Sequence, residues 1–329
     1  MRAFHADHTV PVLPPGHRFP MDKYRLLREA LAQQLPQLQV RAAEPASEGE
    51  LALVHAPEYI AAVLEGWLTP AQLREIGFPW SPGMAERARR SVGATVQAAR
   101  AALSEGVSAN LAGGTHHASA AAGGGFCVFN DIAVAARLMQ AEHFRAGRGA
   151  LPVAVIDLDV YQGNGTAAIF ADDPSVYTLS LHGAKNFPFR KVAGDLDIDL
   201  PDGCGDADYL SALDAALARL WAEHAARHGV PPGLIFYQAG ADVLATDRLG
   251  RLALTPAGVA ERDRRVLAAA QERRIPLVLT MGGGYGQRIE DTVAVQLQTV
   301  QAAHASWRDW CALRPTQANP GMAPRGQRE

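Results

Sequence analysis

Paired cysteines, clustered basic charge and long apolar runs are all missing from this sequence, and each absence removes a class of protein. The three cysteines, Cys127, Cys204 and Cys311, are odd in number and unrelated in spacing. Neither a disulfide framework nor a paired-cysteine metal knuckle is indicated, and free thiols fit a reducing cytoplasm. The 31 lysines and arginines are scattered and the formal net charge is −3, so there is no electrostatic footprint for nucleic acid. No apolar run reaches the roughly 18 residues of a membrane span. The opening MRAFHADHTV lacks the charged start and apolar centre of a secretory leader. A cytoplasmic protein with no membrane or nucleic-acid partner is expected; the sequence sets no oligomeric state.

What is present is an α/β pattern. In MDKYRLLREALAQQL, Tyr24, Leu27, Leu31 and Leu35 recur at helical spacing, and PEYIAAVLEGWL and AERARRSVGATVQAARAAL give two further helices. The short apolar runs VAVI (153–156), VYTLSL (176–181), LIFYQA (234–239) and PLVLTM (276–281) then alternate with helical stretches near 130–143, 208–228, 256–273 and 286–304. Continuous apolar strands separated by helices predict a central parallel sheet flanked by helices on both faces. With 48% hydrophobic residues over 329, one large core is within reach. A single domain over residues 1–313 is expected, with a flexible tail over 314–329, rich in Pro, Gly, Gln and Arg.

In such sheets ligands gather beyond the carboxyl ends of the strands. VAVI runs into Asp157 and Asp159, LIFYQA into Asp242, PLVLTM into Gly282-Gly283-Gly284-Tyr285, and the strand-like ANLA into His116-His117. Asp157 and Asp159 lie two apart and point the same way on a strand. One can hold a divalent cation while the other steers an imidazole; a solvated loop is the other reading. The histidine pair suits proton transfer near neutral pH or an ordinary polar loop, and the flanking Gly113, Gly114 and Gly123–Gly125 favour close packing around a site. Tyr285 can donate to an oxyanion. GGGYG lacks the Lys-Ser/Thr of a phosphate-binding loop. His224 and His228 in HAARH suggest a solvent-facing helix pair, Cys127 a small buried apolar residue, and His182 either a strand-end cap or a wall of the site.

Together GGTHHA, GGGFCVFNDIAVA, VIDLDVYQGNGT, YQAGADVLATDRLG and LTMGGGYG resemble the histone deacetylase and acetylpolyamine amidohydrolase family. The early GHRFPMDKYRLLRE looks like its class IV and bacterial branch. The resemblance implies an arginase-deacetylase fold with zinc at the bottom of a narrow acyl-lysine channel, acting on acylated lysine or polyamine. It makes Asp159 and Asp242 zinc ligands and puts Tyr161 where the family has its third ligand, a histidine. It makes His117 the acid-base group, His116 its electrostatic partner held by Asp157, and Tyr285 the hydroxyl that polarises the acyl carbonyl. Gly125, Phe126, Phe187 and Gly284 match the channel, and Asn164 stands where many relatives have an aspartate. A structural potassium ion is implied at Asp157, Asp159, Tyr161, Ser180 and Leu181.

Tyr161 changes the chemistry. A phenol, with an unperturbed pKa of about 10, must ionise to be a good ligand, and three anionic oxygens around one ion would weaken its Lewis acidity and favour harder ions than zinc. The sequence therefore predicts an amidohydrolase for acylated amines with weak or altered metal binding and impaired turnover. A metal-poor pseudoenzyme that holds an acylated partner without cleaving it is the alternative. An arginase-like pair of manganese ions would need more acidic and histidine ligands than the strand ends offer.

Overall fold

The computed structural model describes residues 1–8 and 11–313; the tail expected over 314–329 lies outside the described residues. The eight strands are β1 (Arg2–His5), β2 (Gln39–Ala42), β3 (Val107–Asn110), β4 (Val153–Asp157), β5 (Val176–Gly183), β6 (Leu196–Leu200), β7 (Leu234–Gln238) and β8 (Leu277–Thr280). They form one sheet in the order β2-β1-β3-β8-β7-β4-β5-β6, and every pairing is parallel. The helices are α1 (Lys23–Gln34), α2 (Glu48–Leu51), α3 (Pro57–Glu65), α4 (Pro70–Ile76), α5 (Pro82–Glu105), α6 (Asp131–Arg145), α7 (Asn164–Phe170), α8 (Asp206–His228), α9 (Pro256–Glu272) and α10 (Ile289–Ala312).

Two cores follow from the period-two alternation of the strands. Ile156, Leu179, Tyr237 and Leu279 face α1, α8, α9 and α10, where they meet Leu27, Leu213, Val266 and Val300. Val155, Phe236 and Val278 face the opposite way, against Ile60, Val92 and Ile132 of α3, α5 and α6. Both faces of the central strands are thus dry, which is why those strands read as unbroken apolar runs. Each large apolar side chain buried this way contributes about 1.5–3 kcal/mol. Among the described residues no helix is long and apolar enough to cross a membrane.

The four apolar runs are β4, β5, β7 and β8, with bounds shifted by one or two residues. The strand expected at ANLA lies two residues earlier, over Val107–Asn110, because Asn110 turns its side chain onto the Ala112 N–H at 2.9 Å and ends the strand there. Strands β1, β2 and β6 and helices α2, α4 and α7 are additions to the sequence reading. The order places β3, β8, β7, β4 and β5 side by side, so every strand with a polar carboxyl-terminal extension opens onto the same edge.

Candidate active site

Beyond that edge lies a cavity of about 180 Å³, lined by His116, His117, Asp159, Tyr161, Gly282, Gly283 and Tyr285, with Gly125, Phe126, Phe187 and Leu249 also in its wall. Asp157 and Asp242 stand behind this lining, and both are buried. The loop after β3 is fixed from outside by Asp131 at the start of α6. Its Oδ1 accepts from the Thr115 N–H at 2.8 Å and its Oδ2 from the Gly114 N–H at 3.0 Å and the Thr95 hydroxyl at 2.6 Å. This sets the two histidine rings 4.2 Å apart, His116 reaching Asp157 at 2.6 Å and His117 reaching Asn164 at 2.6 Å.

Different partners give the two imidazoles different protonation. Burial pulls His116 down, but the carboxylates of Asp157 and Asp159 outweigh it and leave the group pushed up to about 9. Burial, reinforced by the charge on His116, holds His117 down at about 3, with the neutral Asn164 as its hydrogen-bond partner. At neutral pH the first ring is cationic and the second carries a free lone pair.

The acidic side is built from three strand ends. Asp159 accepts from the Tyr161 N–H at 3.1 Å, the Gly283 N–H at 2.7 Å and the Gln238 amide at 3.3 Å. Asp242 accepts from the Val160 N–H at 3.0 Å through one oxygen; its Oδ2 is buried with no partner. A Cβ on Gly283 would stand 1.8 Å from that oxygen, so only glycine lets the loop pass so close. Burial raises Asp242 well above the usual carboxylate range, and the charges of Asp159 and Asp247 push the same way. Burial also raises Asp159, but the cationic His116 and the Gly283 N–H outweigh it and hold that carboxyl below its usual value. Two touching carboxyls in a dry site cannot both ionise without a cation.

The ring of Tyr161 lies 6.0 Å from that of His117 and 6.4 Å from that of Tyr285. Burial and the charges of Asp242, Asp247 and Asp159 raise its phenol far above 10. Burial raises Tyr285 as well, so both remain neutral donors. Tyr285 is held from behind. Its N–H donates to Asp247 at 2.6 Å, its carbonyl accepts from Arg248 at 3.0 Å, and the fully buried Lys23 donates to the carbonyls of Gly282 and Gly284 at 3.4 Å each. The Lys23 ammonium also sits 5.4 Å from the centre of the Tyr285 ring. Phe187 meets His117 edge-on at 4.9 Å and is 38% exposed, at the mouth.

The histone deacetylase domain matches residues 17–300 of the chain. The chain belongs to the histone deacetylase family. An uncharacterized protein of Picosynechococcus sp. is 42% identical to this chain over 292 residues, covering 88% of this chain and 93% of the relative. Histone deacetylase 2 of Arabidopsis thaliana is 33% identical, covering 78% and 65%. Polyamine deacetylase HDAC10 of Mus musculus is also 33% identical, covering 78% of this chain but 40% of the relative. The chain thus spans less than half of that longer protein. A histone deacetylase homologue from Aquifex aeolicus shares the fold, with a TM-score of 0.75 at 22% identity, covering 95% of this chain and 88% of the other. This chain is a hydrolase of the class that acts on amides; the family is generally dependent on zinc.

The donor set departs from such a zinc site. The orphaned Oδ2 of Asp242 beside Asp159 suits a cation. Among the described residues, however, no group of three or more His, Cys, Asp or Glu is placed to hold a metal ion; beside Asp159 the cavity wall offers the phenol of Tyr161 instead. A three-donor zinc site does not fit these residues.

Several positions lie off the cavity. Ser180 is opposite Asp157 across β4 and β5; its hydroxyl is engaged by His182 at 2.8 Å, and Leu181 is in the core. His182 lies behind the sheet edge and is not in the cavity wall. His224 is buried rather than solvent-facing, since its Nδ1 reaches the carbonyl of Val230 at 3.0 Å where the chain folds back after α8. Cys127 is buried, and burial pushes its thiol above the usual range. Sequence reasoning assigned no role to Lys23, Asp131, Gln238 or Asp247, although all four lie inside the motifs GHRFPMDKYRLLRE, GGGFCVFNDIAVA and YQAGADVLATDRLG.

Proposed function

We propose that the chain is an acyl-amine amidohydrolase whose turnover is held down by Tyr161, with an acylated lysine or polyamine as substrate. The observation that carries this is the histidine pair, His116 on the Asp157 carboxylate at 2.6 Å and His117 on the neutral Asn164 at 2.6 Å, lining the same cavity as Tyr285. In this reading His117 accepts the proton of the attacking water and later delivers it to the leaving amine. Cationic His116 stabilises the charge that develops, and the Tyr285 hydroxyl donates to the carbonyl oxygen. Phe126, Phe187 and Gly125 enclose the aliphatic arm of the amine; Gly284, expected in the channel, is not in the cavity wall, and a Cβ there would meet Thr292 and Ala241. Asp159 and Asp242 supply two donors for zinc, and Tyr161 is the reason the ion is bound weakly or replaced. A structural potassium at Asp157, Asp159, Tyr161, Ser180 and Leu181 belongs to the same reading, through backbone carbonyls, because the Ser180 hydroxyl is already engaged.

The test is metal analysis with an acyl-chain activity panel on this chain beside its Tyr161→His form. Zinc content and deacylase activity should rise together. A variant that fills with zinc yet stays inert on every acyl-lysine and acyl-polyamine would end the reading. The second reading, an acyl-ligand binder without turnover, is favoured by the neutral phenol at position 161. It requires calorimetric binding that survives chelation.

A further inference from the structure

The acylated amine of that reading can be a small polycation or a lysine within a polypeptide, and the rim of the cavity bears on which. Four loops meet there and are tied to one another. Arg248 donates to the carbonyls of Tyr285 at 3.0 Å and Arg18 at 3.5 Å. Asn186 donates to the Leu249 carbonyl at 3.1 Å and accepts from the Arg251 N–H at 3.2 Å. Phe19, Phe187, Leu249 and Tyr285, one from each loop, line the cavity itself.

These loops are rich in cations. Arg18, Arg190 and Arg248 are exposed, and none makes an ion pair within 4 Å among the described residues. Lys185 and Arg251 share Asp202, at 3.6 and 3.0 Å. Of the other acids on these loops, Asp247 is buried beneath them and taken up by the N–H groups of Leu249, Gly250 and Tyr285, Asp195 pairs with Arg227 at 2.6 Å, and the exposed Asp22 lies 3.5 Å from Arg25. The facing wall carries the exposed Glu75, whose backbone carbonyl holds the Gly125 N–H at 3.0 Å.

We propose that this rim selects an acyl-lysine presented in an acidic polypeptide segment and turns away acylated polyamines, a proposal that rests on the cavity being an acyl-amine site. An acylated polyamine brings its remaining ammonium groups to a mouth that already carries unpaired guanidinium groups. A lysine flanked by glutamates brings the charge those groups lack. Exposed charge pairs are individually weak, so three acting together give about a tenfold preference. Such a preference is screened by salt.

The experiment is binding to the native chain, Tyr161 in place, followed by fluorescence anisotropy or calorimetry. The ligands are an Nε-acetyl-lysine peptide flanked by glutamates, the same peptide flanked by arginines, and a mono-acetylated triamine. At low salt the acidic peptide should bind about tenfold more tightly than the other two, with the gap closing near about 0.5 M salt. The double variant Arg18→Glu with Arg190→Glu, which leaves Tyr285 and its supports untouched, should reverse the order. Equal or tighter binding of the triamine or the basic peptide overturns the rim proposal, as does a preference unchanged in the variant. Failure of all three ligands to bind overturns the acyl-amine reading together with it.

Discussion

Asn164 offers its side-chain oxygen to Nδ1 of His117 at 2.6 Å, so a neutral acceptor, not a carboxylate, stands behind the ring assigned as the base. Replacing Asn164→Asp puts a negative charge there and raises the imidazole from its depressed value of about 3. A base works only when deprotonated, so the acid limb of the pH–rate profile should move to higher pH, by about one unit. The measurement belongs in the Tyr161→His form, where turnover is expected. An unmoved limb would mean that another group takes the proton.

His116 makes stability depend on pH in the opposite direction from His117. Its folded value of about 9 lies above the ordinary 6.5 of a histidine, so its contribution is complete below pH 6.5 and is lost as pH rises through about 9. For His117, depressed to about 3, the contribution is complete above pH 6.5 and is lost as pH falls. Urea melts of the native chain and His116→Gln should therefore differ most near about pH 6 and least above about pH 9.

Asp131 is fully buried and bonds three groups of the loop ahead of His116 as well as Thr95. Asp131→Ala leaves the Gly114 and Thr115 N–H groups without their acceptor and should cost about 3 kcal/mol in denaturant melts. Asp131→Asn, which keeps one acceptor oxygen, should lose less.

Gly125 has φ +52°, and a Cβ there would lie 2.5 Å from Cδ2 of His117. Gly125→Ala should cost about 1–2 kcal/mol and weaken acyl-ligand binding by displacing the ring. The neighbouring Gly124 has its nearest contact at 3.9 Å, so Gly124→Ala should leave binding unchanged.

The parts of the fold legible in the sequence are those where one local pattern suffices. Strands β4 and β7 are buried along their whole length and read as apolar runs. Edge strand β6, LDIDL, is buried only at its two terminal leucines, and β2, QVRA, is almost wholly exposed; neither offers an apolar run to find. His116, Asp159, Asp242 and Tyr285 are visible because strand ends announce them. Asp131 and Lys23 are not, because they act on backbone groups of remote segments, and no periodicity encodes such a partner. Tyr161 was legible as an anomaly, but its raised phenol depends on burial and then on the charges of Asp242, Asp247 and Asp159, which only folding brings about.

The ammonium of Lys23 and the carbonyl of Gly284 are 261 positions apart along the chain. As the polypeptide leaves the ribosome, α1 must wait for nearly all of the remaining sequence before that contact can close. Contacts of such separation form late and slowly. A nascent chain halted before β8 would hold its histidine loop without the glycine loop opposite, and newly made protein should acquire ligand binding only after its sheet is complete.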